Sequence, residues 1–177
     1  IQDLSLNGAQ PYSASDRFVL VFNGEIYNHI ELRKRLTNVQ FVSTSDTETL
    51  YYLLIQFGVE ILDDLIGMFS FVFYDLKNKT VLAARDKFGV KPLYYFRNDD
   101  LFVASTNLAV VAKTLNFGLA DLSSASLPEV LTFSYVSGAN TFFRNIFKLE
   151  PGNYLLWTRE DFVVERYFDI LEKVETS

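Results

Sequence analysis

Four short apolar runs lie close together in the middle of the chain, and they constrain its fold more than any other feature. They cover residues 68–74, 80–84, 93–96 and 101–104. The breaks between them are short and contain Lys-Asn, Gly-Val-Lys-Pro and Asn-Asp-Asp, which favour tight connections between antiparallel strands. Each run is apolar on both faces, so we expect a sheet that is covered on both sides.

Helical patterns flank these strands and indicate an α+β fold. Residues 17–22 predict a buried strand that stops at the turn signal Asn23-Gly24. Residues 41–44 predict another strand, and Ser45 or Asp46 is expected to cap a long helix that Gly58 ends. The remaining expected elements are helices at 29–36, 59–65, 107–115 and 128–135 and a hairpin of 153–157 with 162–164.

Composition excludes several classes of chemistry. The chain has no cysteine and one histidine, so it can supply no thiolate nucleophile or disulfide, and we expect no metal site. Its 16 basic and 22 acidic residues argue against a nucleic-acid partner, and the basic cluster 33–35 is interpreted as a solvated helix face. No apolar run is long enough to span a bilayer, and nothing resembles a signal peptide, so we expect a cytoplasmic protein without a membrane partner.

One group of polar residues could carry chemistry. The Asn23 amide and the Gly24 N–H could together stabilise an oxyanion, and the Glu25 and Asp46 carboxylates are suited to bind a substrate ammonium. The simpler interpretation is that Asn-Gly forms a turn and both acids are helix caps. Both interpretations stay open at this point, and the spacing alone favours the simpler one.

Other polar residues are interpreted as structural. Arg85 and Asp86 could bind an anion together with Lys91, but an ion-pair network is the simpler interpretation. His29 is expected to be an exposed residue at a helix start. Ser70 lacks the flanking glycines of a nucleophile elbow, and no phosphate-binding glycine loop is present, so we expect no cofactor in this chain.

Several long motifs occur in a familiar order. In chain order they are 4–11 (LSLNGAQP), 23–29 (NGEIYNH), 31–33 (ELR), 45–48 (SDTE), 65–71 (LIGMFSF), 85–95 (RDKFGVKPLYY) and 141–152 (TFFRNIFKLEPG). Together they resemble the N-terminal class II glutamine amidotransferase domain of glutamine-hydrolysing asparagine synthetases, from near residue 1 to about residue 169. A set of this length is far more specific than a single short motif.

The resemblance implies an N-terminal nucleophile hydrolase-like fold, a four-layer αββα sandwich of antiparallel sheets. In such enzymes an N-terminal cysteine attacks the glutamine amide, and the released ammonia reaches a synthetase domain that uses ATP and Mg²⁺ to amidate aspartate. By this resemblance Asn23 and Gly24 form the oxyanion hole, and Glu25 and Asp46 bind the α-amino group of glutamine. The expected partners are glutamine and the protein's own synthetase domain, and a homodimer is a further option.

The chain also departs from the family pattern. It begins at the isoleucine that follows the usual Arg-Leu-Ser, so we expect the fold to be incomplete at its N-terminus and the isolated chain to lack glutaminase activity. Residues 1–117 are interpreted as the glutaminase domain, and 118–177 as a linker and strands leading toward a synthetase domain. Two alternatives stay open: a related amidotransferase with another acceptor, such as a sugar, or a degenerate non-catalytic glutamine-binding module.

Overall fold

The computed structural model describes residues 9–171, and these residues form eight strands and four α-helices. The expected motif at 4–11 lies largely outside the described residues, as does Ile1. The strands are β1 (Phe18–Ile26), β2 (Gly67–Asp75), β3 (Thr80–Arg85), β4 (Tyr94–Arg97), β5 (Phe102–Ser105), β6 (Ile146–Lys148), β7 (Asn153–Trp157) and β8 (Phe162–Arg166). The helices are α1 (His29–Arg33), α2 (Asp46–Phe57), α3 (Leu108–Thr114) and α4 (Leu127–Phe133), with shorter 3-10 helices at Gly58–Asp64 and Leu119–Asp121.

The strands form two antiparallel sheets. One sheet has five strands in the order β1-β2-β3-β7-β8, and the other has three in the order β5-β4-β6. β2 pairs with β3 and β4 pairs with β5 through short connections, as the four central apolar runs predicted. The expected continuous meander is wrong between β3 and β4, which belong to different sheets. The last strands join the same two sheets as the first ones, and the division at residue 117 stays a prediction.

Three buried apolar clusters define four layers. The first packs α2 against one face of the five-stranded sheet and includes Tyr51 and Phe71. The second lies between the two sheets and joins Ala83 of β3 to Tyr95 of β4. The third packs α3 on the far face of the three-stranded sheet through Val111. The order helix, sheet, sheet, helix confirms the predicted four-layer αββα sandwich.

Two local predictions near the start of the chain are wrong. Residues 41–44 form no strand, because the Val42 and Ser43 N–H groups donate to the Glu48 carboxylate and are not available to a neighbouring strand. Strand β1 does not stop at Asn23-Gly24 but continues through both residues to Ile26, paired throughout with β2. The Asn-Gly pair therefore lies inside a strand.

The five-stranded sheet extends beyond the three-stranded sheet on the β1 side. A groove of about 400 Å³ lies where the sheets stop overlapping. It is lined by Val21, Val72, Tyr74, Val81, Asp100, Leu101, Phe102, Ala104 and Trp157. Because side chains alternate along a strand, Asn23 lies on the same face of β1 as Val21. The groove therefore leads along β1 toward Asn23. Within residues 9–171, no helix has the length and apolar character needed to cross a membrane.

Candidate functional site

The outer edge of β1 carries a row of backbone donors. Leu20 N–H donates to the Tyr12 carbonyl (2.8 Å), and Phe22 N–H donates to Gln10 Oε1 (2.6 Å). Ile26 N–H donates to Asp46 Oδ2 (3.0 Å). In an antiparallel pair every second residue directs its N–H away from the partner strand. The same alternation directs the Gly24 N–H to this edge, between Phe22 and the Asp46 carboxylate.

Gly24 is required by the close pairing of β1 with β2. A Cβ atom built on Gly24 would lie 2.0 Å from the Met68 carbonyl oxygen and 2.6 Å from Phe69 Cα. Its φ of +150° is a conformation that residues with side chains rarely adopt. Gly67, which is opposite Ile26, is equally tight, since its Cβ would lie 2.1 Å from the Glu25 carbonyl oxygen. The glycine therefore lets β1 keep its pairing through the site.

Asp46 is placed by α2 but does not cap it. The N-cap is Ser45, whose Oγ accepts from Thr47 N–H (3.0 Å) and Glu48 N–H (3.4 Å). Asp46 is the first helical residue, and its buried carboxylate bonds across to β1 at Ile26. The interpretation of Asp46 as a simple cap is therefore wrong. Its contact to the β1 edge brings two of the predicted site residues, Gly24 and Asp46, to the same place.

The other two predicted site residues lie beside them. Asn23 is exposed and Glu25 is half-buried, so both side chains are accessible next to Gly24. Asp46 and Glu25 both act electrostatically on the imidazole of His29, which follows Ile26 by three residues in the chain. The structure thus brings Asn23, Gly24, Glu25 and Asp46 together at one end of β1, whereas their catalytic and binding roles stay a prediction.

His29 is buried, not exposed as expected from the sequence. It is the first residue of α1, which packs on α2, and its imidazole is 6 % exposed. Burial lowers the pKa of His29, against the opposing effect of Asp46 and Glu25, while Arg33 lowers the pKa further. The Nδ1 atom is buried and has no hydrogen-bond partner among the residues that the structure describes.

Arg33 holds the loop that leads into α2, a role that the sequence did not indicate. Its guanidinium donates to Thr49 Oγ1 (2.6 Å) and to the carbonyls of Ser43 (2.9 Å) and Ser45 (2.7 Å). It also lies 3.8 Å from the carboxylate of Glu48, which is fully buried. The interpretation of cluster 33–35 as a solvated face is therefore wrong for Arg33. The helical spacing gave no signal for it, because its partners are loop carbonyls.

Arg85 and Asp86 hold the loop behind the site through backbone bonds and not as an ion pair. The guanidinium of Arg85 donates to three carbonyl oxygens, those of Gly89, Lys91 and Leu149. The Asp86 carboxylate accepts from four backbone N–H groups, those of Phe69, Phe88, Val90 and Lys91. The structural interpretation of the pair is confirmed, but the predicted ion-pair network is wrong. Since Phe69 is opposite Gly24 in the β1–β2 pairing, Asp86 fixes the strand against which Gly24 packs.

Comparison with known proteins places this arrangement in a family. A family model described as a glutamine amidotransferase domain matches residues 1–168. Asparagine synthetase [glutamine-hydrolyzing] 1 of Bacillus subtilis (strain 168) is 33% identical over 167 residues, which cover 92% of this chain and 26% of that protein. Amidase chyE of Penicillium rubens is 34% identical over 158 residues, covering 88% of this chain and 23% of that protein. The chain spans about a quarter of the length of these curated relatives.

Solved structures show the same fold. The glutamine phosphoribosylpyrophosphate amidotransferase from B. subtilis, solved with ADP and GMP, superposes with a TM-score of 0.63 at 21% identity. The superposition covers 93% of this chain and 33% of that protein. From the matched family model and the identity to full-length relatives, the chain belongs to the glutamine amidotransferase domain family.

Proposed function

We propose that this chain is the glutamine-binding part of a glutaminase whose ammonia serves the amidation of aspartate in the complete protein. The observation that carries the proposal is the edge of β1, where the Gly24 N–H and the Asp46 carboxylate lie two strand positions apart. Two positions along a strand span about 7 Å. The α-ammonium and the side-chain amide carbon of glutamine are four bonds apart, which suits this spacing once a hydrogen bond is added at each end.

Each residue has a role that its position supports. The Asn23 amide and the Gly24 N–H stabilise the negative charge that develops on the amide oxygen of glutamine. Asp46 and Glu25 bind the α-ammonium through charge-assisted hydrogen bonds. Since Ile26 N–H occupies Asp46 Oδ2, the ligand binds at Oδ1, to which no described residue donates a hydrogen bond.

The nucleophile comes from outside this chain. The sequence contains no cysteine. Ser70, which is opposite Asn23 on β2, is buried, and its Oγ donates to the Pro92 carbonyl (3.0 Å), so this hydroxyl is not placed to attack a ligand. We therefore expect the isolated chain to bind glutamine but not to hydrolyse it. The groove beside Val21, on the face of β1 that also carries Asn23, is the approach we propose for a segment that carries a thiol.

The acceptor of the ammonia is the least constrained part of the proposal. Aspartate is favoured by the identity to asparagine synthetases, and ATP and Mg²⁺ would then bind in the remainder of the protein. A sugar or another activated carboxylate as acceptor is the alternative, because the match covers only about a quarter of the curated relatives. A homodimer and a cytoplasmic location stay predictions.

The test uses the complete protein and two substitutions with matched controls. Asn23→Ala should lower the turnover number for glutamine hydrolysis by about a hundredfold, since one oxyanion donor is lost. Asp46→Asn should mainly raise the KM for glutamine, because the ammonium loses its carboxylate. The controls are Asn140→Ala and Asp99→Asn, which change exposed residues that line neither β1 nor the groove beside it.

Ammonia release and glutamate formation are measured at saturating and limiting glutamine. Unchanged turnover in Asn23→Ala would remove Asn23 from the oxyanion hole. Glutamine binding without any hydrolysis by the complete protein would instead support the degenerate, non-catalytic module.

A further inference from the structure

His29 stands out because it is buried without a hydrogen-bond partner at a place where ligand-binding groups meet. It is the single histidine of the sequence, and its Nδ1 atom has no partner within residues 9–171. Buried polar atoms are almost always hydrogen-bonded, and an unpaired one destabilises the state that contains it. A ligand-bound protein in which Nδ1 has a hydrogen-bond partner would therefore avoid the cost that the ligand-free protein carries.

The charged groups around His29 belong to the proposed site. They are Asp46 from α2, Glu25 from β1 and Arg33 from its own helix α1. The guanidinium of Arg33 donates to Thr49 and to the carbonyls of Ser43 and Ser45. The two acidic groups that act electrostatically on the imidazole are therefore the carboxylates assigned to the ligand ammonium.

We propose that His29 is a positioning residue for the ammonium clamp of Asp46 and Glu25, and that its Nδ1 gains a hydrogen-bond partner when an amino acid with a free α-ammonium fills the clamp. The inference rests on the proposed function of the site and adds a residue to it. The imidazole has to be neutral in this role, because an imidazolium would compete with the ligand ammonium for the same two carboxylates. The burial of the ring favours the neutral form.

Two substitutions distinguish the role of Nδ1 from that of Nε2. The amide of His29→Asn places a polar group near the position of Nδ1, whereas the longer His29→Gln places it near Nε2. In the complete protein, His29→Gln should raise the KM for glutamine about tenfold with little change in kcat, as the loss of one hydrogen bond in binding does. His29→Asn should restore most of the affinity, and thermal unfolding checks that both variants fold.

A ligand without the ammonium provides the second readout. Glutaramate keeps the carboxylate and the side-chain amide of glutamine but lacks the α-amino group. Its inhibition constant should be the same in the wild type, His29→Asn and His29→Gln, because His29 acts through the ammonium clamp. A parallel loss of affinity for glutamine and glutaramate would show a mere packing role and overturn the inference, as would equal KM values in the two variants.

A spectroscopic measurement covers the case in which a variant does not fold. In the complete protein with its nucleophile replaced and His29 retained, labelled with ¹⁵N-histidine, the His29 Nδ1 resonance should shift on addition of glutamine but not of glutaramate. An unchanged resonance would overturn the inference. Failure of the proposed function is recognised separately, since the wild type would then release no ammonia from glutamine.

Discussion

Substitution of Gly24 by alanine tests the central geometric feature of the site, the close pairing of β1 and β2. The added Cβ would lie 2.0 Å from the Met68 carbonyl oxygen and 2.6 Å from Phe69 Cα. Both contacts are to backbone atoms, so the strands have to separate and no flexible side chain can move aside. The φ of +150° adds backbone strain that any residue with a side chain would carry.

Two other glycines of the chain separate these contributions. Gly58 has a φ of +57° and no atom within 4 Å of its built Cβ, so Gly58→Ala carries backbone strain alone, about 1 kcal/mol. Gly118 has a negative φ of −133° and open space around its Cβ, so Gly118→Ala should change stability by less than about 0.5 kcal/mol, or stabilise slightly. Gly24→Ala combines strain of about 1–3 kcal/mol with a backbone clash, and we expect a loss of about 4 kcal/mol.

The assay is equilibrium urea unfolding of the three variants, followed by the fluorescence of Trp157, the single tryptophan of the sequence. The urea concentration at the unfolding midpoint should be highest for Gly118→Ala, lower for Gly58→Ala and lowest for Gly24→Ala. The dependence of the unfolding free energy on urea concentration should be the same in all three. A loss for Gly24→Ala no greater than that for Gly58→Ala would refute the reasoning, since it would mean that β1 and β2 separate at no cost and that Gly24 is not held in place.

Two further substitutions test the loop beside the site and an ion pair at the opposite end of β1 and β2. Arg33→Leu should destabilise the chain by about 3–5 kcal/mol, because it leaves the fully buried Glu48 carboxylate without its cation; a loss below about 1 kcal/mol in urea unfolding would contradict this role. Asp75, whose pKa is held below 3.8 chiefly by the hydrogen bond from Arg17, contributes stability that is complete above its unfolded pKa and is lost as the pH falls through the lower folded value. The thermal midpoints of wild type and Asp75→Asn should therefore differ at neutral pH, begin to converge as the pH falls below about 4, and converge further as it approaches the lower folded pKa; a constant difference would contradict the linkage.

The sheets could be predicted from the sequence because their pattern is local. The runs around Phe71 and Ala83 are apolar on both faces, and the short breaks between them allow antiparallel neighbours only. Leu53 and Leu54 likewise lie on the apolar face of a helix that Gly58 ends. Each of these features depends on residues that are close together in the sequence, and the structure confirms them.

The residues that meet at the candidate site could be predicted from the sequence, but their arrangement could not. Asn-Gly is a turn signal in isolation, and nothing near Gly24 in sequence reveals that Phe69 packs against it and keeps the strand extended. His29 was expected to be exposed because its burial depends on the packing of α1 against α2, across a loop whose conformation Glu48 sets. These outcomes depend on contacts between residues far apart in the chain, where local propensity carries no information.

The carboxylates around the site explain how it can select a ligand by length. Glu48 and Asp86 accept backbone N–H groups of the flanking loops, and Asp46 accepts the Ile26 N–H, so each acid fixes a piece of backbone. Gly24 is fixed in turn by its pairing with β2. The distance between the Gly24 N–H and the Asp46 carboxylate is thus set before a ligand arrives, which under the proposed function avoids reorganisation during the reaction. Under the proposed function, asparagine is one methylene too short to reach both groups, so rigid spacing alone would discriminate against it.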